Sequence, residues 1–145
     1  METLKIMRLR ETAKIPANAT AGSAGFDLSA DILSPVEITP GQTVKIPTGL
    51  AIQIEPGYGG FIFARSGLGI KHGIVPGNCV GVIDSDYRGE VIVGLHNHSA
   101  EPFTIQPGDR IAQLVLLRVY TPAVQVCESL EESARGAGGF GSTGN

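Results

Sequence analysis

The sequence predicts an all-β domain, a barrel or sandwich of short strands, and three observations carry that prediction. Pro-Gly occurs four times, at 40–41, 56–57, 76–77 and 107–108. Each pair presets a turn, because proline fixes φ at one corner and glycine accepts positive φ at the next. The runs between these turns are short and strand-like in composition. No segment carries a convincing 3.6-residue apolar period, so at most a short helical turn after Ser66 is expected. With 145 residues, 42 % of them apolar and 17 % charged, the chain has the size and composition of one globular core.

The expected strands follow in order. Residues 42–46 form the first and 50–55 the second, where Leu50, Ile52 and Ile54 alternate as on a half-buried strand. Residues 60–64 carry Phe61-Ile62-Phe63. Residues 80–83 and 91–96 are apolar runs around a polar stretch and read as the arms of a β-hairpin. Residues 103–106 precede the last Pro-Gly turn, and 111–119 form the last strand. Within it, Leu114 to Leu117 is continuously apolar and is expected to be buried on both faces. Residues 128–134 are polar and acidic and read as a linker, and 135–145 hold five glycines and one aromatic. Fixing each such residue costs roughly 1–2 kcal/mol, and this tail has little to bury, so it is expected to be mobile. The expected division is a β-barrel domain over 1–127 and a linker with a glycine-rich tail over 128–145.

Composition narrows the function. A net charge of −3 leaves no basic footprint for a nucleic-acid partner. A nucleotide remains open, since it needs only a local cluster of arginine and backbone N–H groups. Cys79 and Cys127 are too few for a disulfide-dependent domain, have no zinc-ligand spacing, and are expected to be small buried residues. Residues 1–10 mix Lys5, Arg8 and Arg10 with isolated apolar residues, unlike a signal peptide. No stretch approaches the ~18 apolar residues of a membrane span. A soluble, cytoplasmic protein with no membrane partner is the expectation.

The most informative stretch is Gly81-Val82-Ile83-Asp84-Ser85-Asp86-Tyr87-Arg88-Gly89-Glu90. A tip that needed only to turn would use Asn-Gly or Asp-Gly, whereas this one gathers a candidate general base, an aromatic plate and a cation. The alternative is a solvated turn with a local Asp–Arg pair. Arg65-Ser66-Gly67-Leu68-Gly69 follows a strand and could present donors to an anion, or could simply end the strand. Asp27, flanked by Phe26 and Leu28, needs hydrogen-bond partners, as does Gln113 inside an apolar strand. His96 and His98 share a strand face without a nearby third ligand, and read as surface or core histidines.

The tail matches Gly136-x-Gly138-x-x-Gly141, a dinucleotide-binding pattern, but lacks the strand before and the helix after that such a site requires. Its backbone, with Ser142 and Thr143, could still wrap a polyphosphate. Arg135 could pair with that polyphosphate, and Phe140 could stack on a base.

In this order, residues 24–28, 65–68, 81–89, 108–115 and 135–144 resemble the five motifs of the homotrimeric dUTPase family, and the stretch 71–78 is similar to bacterial members. Departures are mild: Ala64 stands where the family usually has proline, and Gly69 where alanine is frequent. The resemblance implies a distorted jelly-roll-like β-barrel assembled as a homotrimer, with active sites shared between three chains. It implies Mg²⁺-dependent hydrolysis of dUTP to dUMP and pyrophosphate, with water attacking the α-phosphorus. Asp84 matches the carboxylate that activates the water, and Tyr87 the ring packed against the deoxyribose. Asn78 matches the uracil pocket; Arg65, Ser66 and Gly67 match phosphate contacts from a neighbouring chain; Gln113 matches a contact near the phosphates. Asp27 would hold Mg²⁺ through water, while Arg135 and Phe140 would close over the γ-phosphate and uracil from a third chain. Asp86 would brace the turn against Arg88. Two other readings are a dCTP deaminase-like enzyme and a non-catalytic β-barrel interaction protein. The Asp84-containing hairpin and the tail argue against both.

Overall fold

The structure, a computed structural model, describes residues 3–139. β1 (Lys5–Arg8), β4 (Thr43–Gln53), β8 (Glu90–Asn97) and β6 (Ile74–Pro76) make one sheet in the order β1-β4-β8-β6. β2 (Phe26–Ser29), β10 (Arg110–Arg118), β5 (Tyr58–Phe63) and β7 (Gly81–Ile83) make a second in the order β2-β10-β5-β7. β3 (Val36–Ile38) and β9 (Phe103–Ile105) form a two-stranded ribbon. The strands pair antiparallel throughout. The helical turn expected after Ser66 is α1 (Ser66–His72).

Alternation along the strands builds one core. In β8, Val91, Val93, Leu95 and Asn97 point inward while Ile92 is exposed. They join Leu28, Ile62, Ile83 and Leu114 from the second sheet, and Ile38 and Ile105 from the ribbon. Each fully buried Leu or Ile contributes roughly 1.5–3 kcal/mol. Asn97 is the polar member, and its bonds are complete. Nδ2 donates to the carbonyls of Ile38 (2.8 Å) and Glu101 (2.7 Å), and Oδ1 accepts from Ser99 N–H and Oγ.

Several expectations are corrected. The runs 42–46 and 50–55 belong to one strand, β4, which continues through Pro47 and Gly49 by a bulge between Pro47 and Ala51. Gly49 takes φ 69° there, so the bulge depends on glycine. Residues 80–83 and 91–96 are not the arms of a paired hairpin: β7 pairs with β5, and β8 with β4 and β6. The stretch between them is therefore a corner joining the two sheets. Leu117 is 45 % exposed, because β2 begins at Phe26, opposite Leu114, and leaves the rest of β10 with β5 alone. Cys79 and Cys127 are exposed rather than buried. The first lies in the turn after β6, where it and not Gly77 takes positive φ (63°), and the second lies beyond β10. Among the described residues, no helix is long and apolar enough to cross a membrane.

Candidate active site

Residues 84–89 leave β7 at the edge of one sheet and enter β8 in the other. Beneath this corner lies a cleft of about 230 Å³ lined by Asn78, Gly81, Ile83, Asp84, Tyr87 and Glu90, among others. The carboxylate, ring and amide expected to meet a nucleoside therefore meet. Gly81 keeps the floor open: a Cβ there would stand 3.1 Å from Ile62 Cβ and 3.3 Å from Asn78 Nδ2. The Tyr87 hydroxyl donates to the Glu90 carbonyl (2.9 Å), and a Cβ at Gly89 would lie 2.5 Å from that hydroxyl. Glycine at 89 is thus a condition of the ring's position. Arg88 does not pair with Asp86. Its Nη1 donates to the Ser85 and Tyr87 carbonyls (2.7 and 2.8 Å), bracing the corner through backbone.

A second cleft, of about 290 Å³, gathers Asp27, Arg65, Ser66, Gly67, Arg110 and Gln113. Asp27 does not cap local backbone: Oδ1 accepts from Arg65 Nε (2.8 Å) and Oδ2 from Arg110 Nη1 (3.0 Å). Gln113, opposite Asp27 in the sheet, donates from Nε2 to the Ala64 carbonyl (2.9 Å). Gly67 has open space where a Cβ would sit. Two guanidiniums and one carboxylate leave the cluster net positive, which suits a polyanion.

Sheet register separates the two clefts. Asp27 shares a row with Gln113 and Phe63, whereas Asp84 follows Ile83, which sits opposite Gly60. β2 and β7 are the opposite edges of their sheet, so Asp27 and Asp84 are three strand spacings apart, roughly 14 Å, and four residues along, roughly 13 Å. Arg135 lies in neither cleft. Its Nε donates to the Gly138 carbonyl (2.9 Å) within an exposed turn of its own segment. Phe140 lies outside the described residues.

The profile of the family described as dUTPase matches residues 11–144. The chain belongs to the dUTPase family. Curated relatives agree. The deoxyuridine 5'-triphosphate nucleotidohydrolase of Polynucleobacter asymbioticus is 53 % identical, covering 97 % of this chain and 95 % of its own. That of Bordetella pertussis is 54 % identical over the same share of each chain. Among solved structures, the Staphylococcus bacteriophage 80alpha dUTPase with dUpNHpp has a TM-score of 0.90 at 27 % identity, covering 100 % of both chains. The phage phi11 dUTPase of S. aureus, whose structure details the coordination of a structural Mg(II) ion, has a TM-score of 0.82 at 25 % identity, covering 90 % of this chain and 100 % of its own. The two sheets and ribbon are thus a jelly-roll-like dUTPase fold, and as a family member the chain is an enzyme of dUTP hydrolysis.

Sequence reasoning missed the partners of this dUTPase site. Arg110 pairs with Asp27 across 83 positions of chain, and no local pattern announces it. Arg10 forks onto both oxygens of Glu90, which lines the nucleoside cleft, and its Nε donates to Asp31 Oδ2 (2.6 Å). The Arg10 hydrogen bond, chiefly, holds the Glu90 carboxyl below its ordinary range. Burial pushes the Asp31 carboxyl up, but hydrogen bonds from Thr12 and Arg10 outweigh it and leave it lowered.

Groups with depressed folded values stabilise fully above their unfolded values, 3.8 and 4.5, and lose that contribution as pH falls through the folded ones. In thermal melts, the Tm gap between the parent and Arg10→Met is therefore constant from pH 7 to about 5. It narrows below about pH 4. A gap that widens in acid contradicts the clamp.

No group of three or more His, Cys, Asp or Glu able to hold a metal gathers among the described residues, so a protein-built Mg²⁺ cage does not fit. A water-shell contact does. Each Asp27 oxygen accepts one arginine N–H and keeps a lone pair for a metal-bound water.

Proposed function

We propose that this dUTPase hydrolyses dUTP to dUMP and pyrophosphate by water attack on the α-phosphorus, with Asp84 as the general base, in a homotrimer whose sites are shared between three chains. The observation that carries this reading is the separation of the two clefts. Asp27 stands on the order of 20 Å from Asp84 by strand spacing. The β- and γ-phosphates lie only two P–O–P links beyond the α-phosphorus, a shorter reach than that. Arg65, Ser66, Gly67 and Gln113 therefore serve the Asp84 cleft of another copy, and Arg135 and Phe140 come from the third.

Uracil enters the pocket at Asn78, the deoxyribose lies on Tyr87, and Asp84 orients one water for in-line attack and takes its proton. Mg²⁺, when bound to the triphosphate with Asp27 in its water shell, neutralises phosphate charge. Arg65 and Arg110 add to that neutralisation from the protein side. Nucleic acid and membrane play no part in this reading. The cytoplasm is the proposed compartment, consistent with two free, exposed cysteines.

Hydrolysis in ¹⁸O-labelled water tests it, with dUTP, dTTP, UTP and dCTP side by side. The label should enter dUMP and not pyrophosphate, with dUTP far preferred. Label in pyrophosphate would place attack at the β-phosphorus, and ammonia from dCTP would indicate deamination instead. Selection against UTP rests on the ring. Tyr87→Ala removes the surface on which a 2′-OH overlaps, and raises the UTP/dUTP ratio of kcat/KM. An unchanged ratio removes Tyr87 from sugar selection.

A further inference from the structure

We infer that Arg10 is a positioning residue for sugar selection, acting through Glu90 on the Tyr87 ring; the inference rests on the reading of the cleft given above. The acceptor for the Tyr87 hydroxyl is the main-chain carbonyl of Glu90, so the ring's outer end is placed by wherever Glu90 is held. Backbone pairing holds Glu90 weakly. The β4–β8 ladder runs to Pro47 opposite Ile92, then skips residues 48–50 in the bulge before Ala51 meets Glu90.

Side chains hold it instead. Glu90 Oε1 accepts from the Gly49 N–H (2.8 Å), and Arg10 forks onto both carboxylate oxygens. A bidentate fork fixes direction as well as distance. Arg10 is held in turn by Asp31, whose side chain is only 5 % exposed. The bulge interlocks with that pair, since a Cβ at Gly49 would lie 2.2 Å from Asp31 Oδ2. Arg10 also stands on a segment tied to the bulge, because Leu9 N–H donates to the Gly49 carbonyl (2.8 Å). The corner that carries Asp84 and Tyr87 thus has two anchors: the β7 ladder before Asp84, and this clamp at Glu90. Releasing the clamp frees the ring end without touching the β7 anchor, so discrimination between deoxyribose and ribose should suffer before turnover does.

The test compares kcat and KM for dUTP and UTP in the parent, Arg10→Met, Arg10→Lys, Glu90→Gln and Tyr87→Ala, and in the double variants with Tyr87→Ala. Met keeps the apolar stem and removes the fork. The UTP/dUTP ratio of kcat/KM is expected to rise roughly five- to tenfold in Arg10→Met, the scale of coupling within one hydrogen-bonded network. Most of the change should fall in KM. Arg10→Lys, which keeps the charge without the fork, should fall between parent and Met. Glu90→Gln should also raise the ratio, and it decides alone if Arg10→Met does not fold. Combining either with Tyr87→Ala should add nothing further to the ratio. An unchanged ratio in both clamp variants, or effects that multiply fully with that of Tyr87→Ala, overturns the inference while leaving dUTP hydrolysis intact. A parent that does not hydrolyse dUTP overturns the reading of the cleft, and the inference with it.

Discussion

Asp84→Asn is expected to bind dUTP as the parent does and to hydrolyse it about 10²–10⁴ times more slowly, the usual worth of a positioned general base. The substitution keeps shape and an acceptor oxygen, so a water can still be held. The amide cannot take the proton that the attacking water must lose. Placement supports the role: Asp84 follows Ile83, a buried residue that anchors the end of β7, and it opens into the same cleft as Tyr87 and Asn78. Binding by equilibrium titration and turnover by pyrophosphate release separate the two effects. Parent-like turnover by the Asn variant assigns the base elsewhere, and lost binding with unchanged kcat makes Asp84 a substrate contact only.

Removing the residues after Ala134 is expected to leave the melting temperature nearly unchanged and to lower kcat/KM by on the order of 10²-fold or more. No strand or helix follows β10 in the described residues, and Tyr120, Val124, Val126 and Leu130 are 87–93 % exposed, so this part of the chain adds little to the core. Its proposed contribution comes with substrate. Phe140 stacking on the base is worth roughly 1–3 kcal/mol, and a charge-assisted bond from Arg135 to a phosphate roughly 1.5–3 kcal/mol. At 1.4 kcal/mol per tenfold, either alone is a substantial loss. Closure over the triphosphate would also exclude bulk water from the attacking position. A truncated chain that hydrolyses dUTP normally, or one that no longer melts cooperatively, contradicts this lid.

The fold was legible where periodicity and turn chemistry act locally. Leu50, Ile52 and Ile54 alternate because they line the core, and the Pro-Gly pairs mark real turns, with positive φ at Gly41, Gly57 and Gly108. Strands of three or four residues were not legible. β2 carries Asp27 and Ser29, β6 ends in Pro76, and β1 is an edge strand with Lys5 and Arg8, so none has a run long enough to show a period. The corner between β7 and β8 looked like a hairpin because composition reveals a turn but not which strands pair across it.

The candidate site shows the same division. Asp84, Tyr87 and Asn78 come from one short stretch, and the structure gathers them in one cleft. Arg65 and Gln113 were identified, but the carboxylate that organises Arg65 and Arg110 depends on pairing between β2 and β10. Arg10, 80 positions from Glu90, is visible only in three dimensions.

The sharing of one site among chains is tested most directly by subunit exchange between two inactive dUTPase variants, Asp84→Asn and Arg135→Ala. If each site takes Asp84 from one copy and Arg135 from another, a site in a fully exchanged equal mixture is intact with probability one half times one half. The mixture should then recover about a quarter of parent activity, from parents that separately have almost none. Activity no greater than the sum of the two variants, together with a sedimenting monomer that turns over dUTP, would contradict the shared site.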